Sequence, residues 1–168
     1  METLPLKSPE SPARNSGTNL YALKFEWWAV LYARVALGTA FLSAVASRFG
    51  LWDKTFDLNH FSNFIKYAAQ VLAFAPAPLI PWLAWAATAA ETALGILLIV
   101  GWWPRWVSLA SATLLGLFGI SMAISFGPQS PMDYSVFSAS GAALLLAMHT
   151  FNQQRKQNFK HQVKGQTS

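Results

Sequence analysis

The sequence predicts an all-α integral membrane protein, a four-helix bundle with one additional short interfacial amphipathic helix between its first and second spans. Three observations predict this class. Hydrophobic residues fill 54% of the 168 positions and charged residues 11%, against about 25% charged in a soluble domain, so a water-soluble globule of this size could not cover its surface. Four apolar stretches of about 20 to 24 residues follow one another, the length at which a helix crosses a hydrocarbon core. The tryptophans gather at the ends of these stretches and leave their middles empty, as in the aromatic belt of a membrane protein.

Residues 1–24 carry Pro5, Pro9 and Pro12 among Ser, Thr, Asn and Gly without an apolar period, and are expected to form a flexible tail. The membrane domain follows over 25–151. Its first span runs from about Trp27 to Phe49. The Ala44 and Ala46 pair resembles a signal-peptidase site, but the apolar stretch before it is too long and holds Arg34, so the segment reads as a retained span. Residues 59–73 alternate a polar face of Asn59, Ser62, Asn63, Lys66 and Gln70 with an apolar face of Phe61, Phe64, Ile65, Ala68, Val71 and Leu72. This is a helical period too short and too polar to span, with Asn59 as N-cap and Pro76 and Pro78 ending it. The second span covers about Leu79 to Trp102, the third Trp106 to Phe126 and the fourth Tyr134 to Phe151, leaving a basic tail over 152–168. Lys7, Arg14, Lys24, Arg105, Arg155, Lys156, Lys160 and Lys164 fall on one side, against Arg48, Lys54 and Lys66 on the other. Both termini and the basic tail are therefore expected in the cytoplasm.

The absence of cysteine excludes disulfides, thiol redox motifs, iron–sulfur clusters and thiolate zinc sites. The net charge of +5 and pI of about 9.8 come largely from tails and helix ends, so they speak for membrane topology and anionic lipid rather than nucleic acid. No metal site is expected. His149 stands alone near the end of the fourth span, which argues against bis-histidine haem ligation, and no hydrolase triad, HExxH or phosphate loop is present.

Ionisable residues inside a span are costly and mark functional or structural sites. Arg34 and Glu91 are the two. Measured down from Trp27 and Trp102, their depths differ by about 6 Å, so an extended arginine is expected to meet Glu91 in a buried pair that serves helix register or ligand and proton handling. Glu91 shares a face with Ala84, Thr88, Thr92 and Gly95, which pairs with a row of Thr39, Ser43 and Ser47 on the first span and of Ser108, Ser111, Ala112 and Gly116 on the third. Arg34, Glu91, Thr88 and Tyr134 are the candidates for ligand binding or proton handling. Arg48, Arg105 and Asp133 are candidates for structural polar clusters at span ends, with Asp133 also suited to cap the fourth helix.

The runs Ala33-Arg34-Val35-Ala36-Leu37-Gly38, Arg48-Phe49-Gly50-Leu51-Trp52, Glu91-Thr92-Ala93-Leu94-Gly95-Ile96-Leu97-Leu98 and Asp133-Tyr134-Ser135-Val136-Phe137-Ser138 resemble the DoxX family over about residues 28–149. The resemblance implies a four-helix protein of the bacterial inner membrane, akin to DoxD, a membrane subunit of a thiosulfate:quinone oxidoreductase. Arg34, Glu91, Arg105 and Asp133 occupy matching positions. On this reading the chain is a non-catalytic or quinone-binding membrane subunit of a redox-linked complex. It is at most a quinone-interacting oxidoreductase subunit, with no redox cofactor of its own and a redox enzyme as partner. Arg34 or Tyr134 would donate to a quinone carbonyl. The alternatives are a structural or chaperone-like membrane adaptor without small ligand, and a small-solute transporter. The oligomeric state is left open.

Overall fold

The computed structural model describes residues 16–53 and 58–166, so the expectations for residues 1–15, for Lys54 and for the last two residues lie outside the described residues. The chain is helical, with no strand among the described residues: α1 (Ser16–Arg48), α2 (Leu58–Val71), α3 (Ile80–Val100), α4 (Pro104–Phe126), α5 (Gln129–Asp133) and α6 (Val136–Gln166). Two helices are longer than their apolar stretches. α1 begins at Ser16, within the segment expected to be a flexible tail, and α6 continues through the basic tail to Gln166.

Three segments are long and apolar enough to cross a membrane: Lys24–Arg48, Ala77–Val100 and Pro104–Phe126. α6 is not among them, because polar residues replace its apolar face after Phe151. α6 nonetheless lies along α4, where Ser140 donates to the Ala112 carbonyl at 2.8 Å and Phe151 meets Trp106 with ring centroids 6.3 Å apart. α1 packs on α3, α3 on α4, α4 on α6 and α6 on α1. Together they enclose a core of Leu37, Phe41, Leu98, Val107, Ala112, Ala143 and Leu146.

The turn from α3 to α4 is short, which makes the two antiparallel neighbours. Gly101 ends α3 in the left-handed region (φ 81°), its N–H donating to Leu97 O at 2.8 Å. Glycine adopts this conformation without the steric cost of a Cβ. Pro104 then occupies the first turn of α4, where its missing N–H costs nothing. Between them Trp103 also holds a left-handed backbone (φ 45°), a conformation that a bulky residue adopts only when its surroundings enforce it.

α2 has the expected amphipathic character. Its apolar face packs into the protein, with Phe61 and Ala68 buried beside Ile80 and Ala84 of α3. Phe49, Phe61 and Trp85 form an aromatic stack, with centroids at 5.4 Å between the first two and 4.2 Å between the last two. Ser62, Asn63, Lys66 and Gln70 remain exposed. The helix starts one residue before Asn59, so Asn59 is not its N-cap, and it ends at Val71, well before Pro76. Its last turn is closed by another helix: Ser125 of α4 donates to Val71 O at 2.7 Å, satisfying a carbonyl that a helix end leaves orphaned.

Candidate functional site

The α1–α3 interface sets the site. Gly38 faces Gly95 and Ile99 so closely that a Cβ on Gly38 would stand 2.8 Å from the Gly95 carbonyl oxygen. This small-residue contact lets the two backbones nearly touch. The α1 side of the contact is not the expected row. Thr39, Ser43 and Ser47 are exposed, Thr39 donating to its own helix at Val35 O. The buried stripe is one position away, on Leu37, Gly38 and Phe41, and both Arg34 and Arg48 continue it at helical spacing.

Arg48, not Arg34, meets Glu91. Arg48 Nη2 lies 2.7 Å from Glu91 Oε1, and Nη1 donates to Thr88 Oγ1 at 2.8 Å. Thr88 passes its own hydrogen to Ala84 O at 2.9 Å. The guanidinium stands 3.8 Å over the ring of Phe64 from α2, a cation–π contact strengthened by exclusion of water. The pair is sealed, with side-chain exposure of 11% for Arg48 and 2% for Glu91. One arginine thus joins α1, α2 and α3. Three buried side-chain polar atoms lack partners among the described residues: Glu91 Oε2, Ser108 Oγ and His149 Nδ1.

Arg34 is occupied elsewhere. Its Nε donates to Leu98 O at 3.0 Å and its Nη2 to Ile99 O at 3.3 Å, so a cation closes the negative end of α3. Two physical facts overturn the expected Arg34–Glu91 pair. α1 overshoots the α3–α4 turn, so Trp27 does not share a depth with Trp102, and Leu98 is already about 10 Å along α3 from Glu91. Side chains also lean toward the N-terminus of their own helix. In this antiparallel pair that direction carries Arg34 away from Glu91 and Arg48 toward it.

The remaining candidates do not converge on Glu91. Tyr134 is exposed between α5 and α6. Burial, and secondarily Tyr134, push the Tyr67 phenol of α2 above its usual range. Asp133 is the exposed last residue of α5 rather than the cap of α6, which starts only after Ser135 turns the chain with φ 54°. Arg48 turns inward to Glu91, and Arg105 lies at the opposite end of the protein, donating to Gln154 at 2.9 Å. A contact that sequence reasoning missed joins α1 to α6. His149 Nε2 lies 2.6 Å from Glu26 Oε1, and Gln153 donates to the same oxygen at 3.3 Å. The signal available was the placement of Glu26 beside Trp27 at the end of the protein that also holds His149. No group of three His, Asp or Glu suited to a metal occurs among the described residues.

The glycine that receives Arg34 offers a test. A Cβ on Gly101 would land on the Arg34 guanidinium, whereas one on Gly127, also left-handed with φ 83°, would meet nothing within 4 Å. Gly127→Ala is expected to cost only the left-handed strain of about 1 to 2 kcal/mol. Gly101→Ala should cost about 1 to 3 kcal/mol more, as charge-assisted bonds are displaced. Thermal unfolding of both variants in detergent checks the difference.

Residues 26–131 match the family model described as methylamine utilisation protein MauE. No curated protein and no solved structure gives a match. The resemblance to DoxX is thereby corrected: the matching family is a different one, and the DoxX model does not match. The apolar runs that suggested DoxX are a weak discriminator, since interior faces of membrane helices draw on the same few small and branched residues. The matched segment contains α2, α3, α4, most of α1 and the whole Arg48–Glu91–Thr88 site, and, spanning well over half of the sequence, it assigns this membrane chain to the MauE family.

Proposed function

We propose that this chain is a membrane subunit serving redox-linked methylamine utilisation, non-catalytic in itself and working beside a redox enzyme. The family match supports the system it serves. The lack of any cysteine supports the division of labour, since thiol chemistry must come from a partner. The observation that carries the reading is the buried Arg48–Glu91–Thr88 site within the matched segment. It fixes three helices in one arrangement and leaves Glu91 Oε2 as an unspent acceptor in the interior. Intramembrane charges are functional candidates by default. Here their first effect is to hold the end of α1 and the ring of Phe64 in place, presenting α2 with its polar face outward as a surface for the partner.

On this reading α6 crosses the membrane beside α4 as the fourth span. Both termini then face the cytoplasm of a bacterium, in keeping with the basic residues on that side. A quinone site is the second reading, favoured by the free Glu91 oxygen, which could accept a hydrogen bond from a quinol hydroxyl. It draws no support from Arg34 or Tyr134, which lie away from Glu91, so the partner-subunit reading is preferred.

Deletion of the gene in its native host should abolish growth on methylamine as sole nitrogen source while leaving growth on ammonium intact. The full chain supplied in trans should restore it. Undiminished growth of the deletion strain on methylamine would refute the proposal. Stoichiometric quinone extracted from the purified chain would instead establish the second reading.

A further inference from the structure

At the α3–α4 turn, Trp103, Pro104, Arg105, Trp106 and Gln154 line an open groove of about 490 Å³, within the roughly 300 to 1,000 Å³ of small-molecule sites. Its centre is Arg105. The guanidinium stands 4.6 Å from the centroid of Trp106 and 4.8 Å from that of Phe151, and Nη1 is held by Gln154 Oε1 at 2.9 Å. No carboxylate pairs with it among the described residues. A planar donor fork seated in the corner of two nearly perpendicular rings, steered by one amide and left without an anion, is pre-organised for bidentate contact with a phosphate. Trp103, which lines the groove, holds a left-handed backbone. The position along the molecule supplies the rest of the chemistry. The turn closes two membrane-crossing helices and is ringed by exposed Trp102, Trp103 and Trp106, as befits the depth of lipid headgroups.

We infer that this groove is a binding site for the headgroup of an anionic phospholipid, whose phosphate meets Arg105 while its acyl chains run down the apolar faces of α4 and α6. The site is separate from Arg48 and Glu91 and does not rest on the methylamine reading. A zwitterionic headgroup carries its own cation and gains less from an unpaired guanidinium, so the groove discriminates by charge.

Native mass spectrometry of the full chain, released from nanodiscs of equal phosphatidylglycerol and phosphatidylcholine, reads the lipid retained. Wild type is expected to keep phosphatidylglycerol over phosphatidylcholine by about tenfold, the scale of one charge-assisted hydrogen bond. Arg105→Gln should erase the preference. Lys156→Gln, which removes the same charge from an exposed site on α6 outside the groove, should leave it intact. Should the Arg105 variant not fold, Gln154→Ala carries the test, since freeing the guanidinium must weaken the preference. Equal losses from Lys156→Gln and Arg105→Gln would mean that general surface charge binds the lipid, and an unchanged Arg105→Gln would mean that the groove does not. Displacement of the lipid by millimolar glycerol 3-phosphate would show a soluble phosphate site instead. Each of these three results overturns the inference.

Discussion

Arg48→Met is expected to destabilise the protein by about 3 to 5 kcal/mol, the cost of leaving one partner of a buried ion pair uncompensated. Glu91 would then keep a carboxylate in the core with neither oxygen served by a cation, since Arg48 supplies the contact to Oε1 and Oε2 has none among the described residues. Glu91→Gln alone should cost less. It leaves Arg48 its bond to Thr88 and its stack on Phe64, and a neutral amide can still accept from the guanidinium. Removing both charges by Arg48→Met with Glu91→Gln should cost much less than the sum of the singles, because the desolvation of two ions vanishes with their attraction. Melting temperatures in one detergent measure all three. Losses that simply add would show that the two residues do not interact.

Gly38→Ala should force two closely packed helices apart. The new Cβ would stand 2.6 Å from Ile99 Cγ1 and 2.8 Å from the Gly95 carbonyl oxygen. Ile99 is partly exposed and has room to turn, but a backbone oxygen inside a helix does not, so α1 and α3 must separate. Overpacking of this kind costs about 1 to 3 kcal/mol. Separation also loosens the Arg34 contacts one turn away. Gly116→Ala supplies the contrast, since its Cβ would find only Ser140 Oγ at 3.6 Å, an ordinary contact. That variant should be neutral, or gain up to about 1 kcal/mol from helix propensity. Thermal unfolding of both proteins reads the difference.

The helices were legible because apolar length and tryptophan placement carry their ends. α3 lies inside the expected Leu79–Trp102 stretch, and α4 and the expected third span share their end at Phe126. The continuation of α1 back to Ser16 and of α6 on to Gln166 was not legible. Hydropathy marks where a helix leaves the apolar phase, not where its hydrogen bonding stops. α5 escaped notice because a turn of five residues has no period to detect. Within the site, Glu91 and Thr88 share a buried face of α3, a pattern visible in their spacing with Ala84 and Gly95. The identity of the arginine was hidden by an assumption that both helices enter the membrane at the same tryptophan level. The buried stripe of Leu37, Gly38 and Phe41 already places Arg34 and Arg48 on one face, and the lean of side chains toward a helix N-terminus selects Arg48. The error over the small residues of α1 has the same root. Thr39, Ser43 and Ser47 look like interface residues by size, but their hydroxyls can return to the backbone of their own helix, as that of Thr39 does, so they need no neighbour.

Arg48 holds Glu91 inside the membrane domain of this MauE-family chain. Solid-state NMR in bilayers, with guanidinium nitrogens labelled with 15N and glutamate carboxyl carbons with 13C, measures it through the dipolar coupling of a pair in contact. The coupling expected of the 2.7 Å contact should persist in Arg34→Lys and vanish in Arg48→Lys. Loss of the coupling in Arg34→Lys together with its survival in Arg48→Lys would contradict the claim.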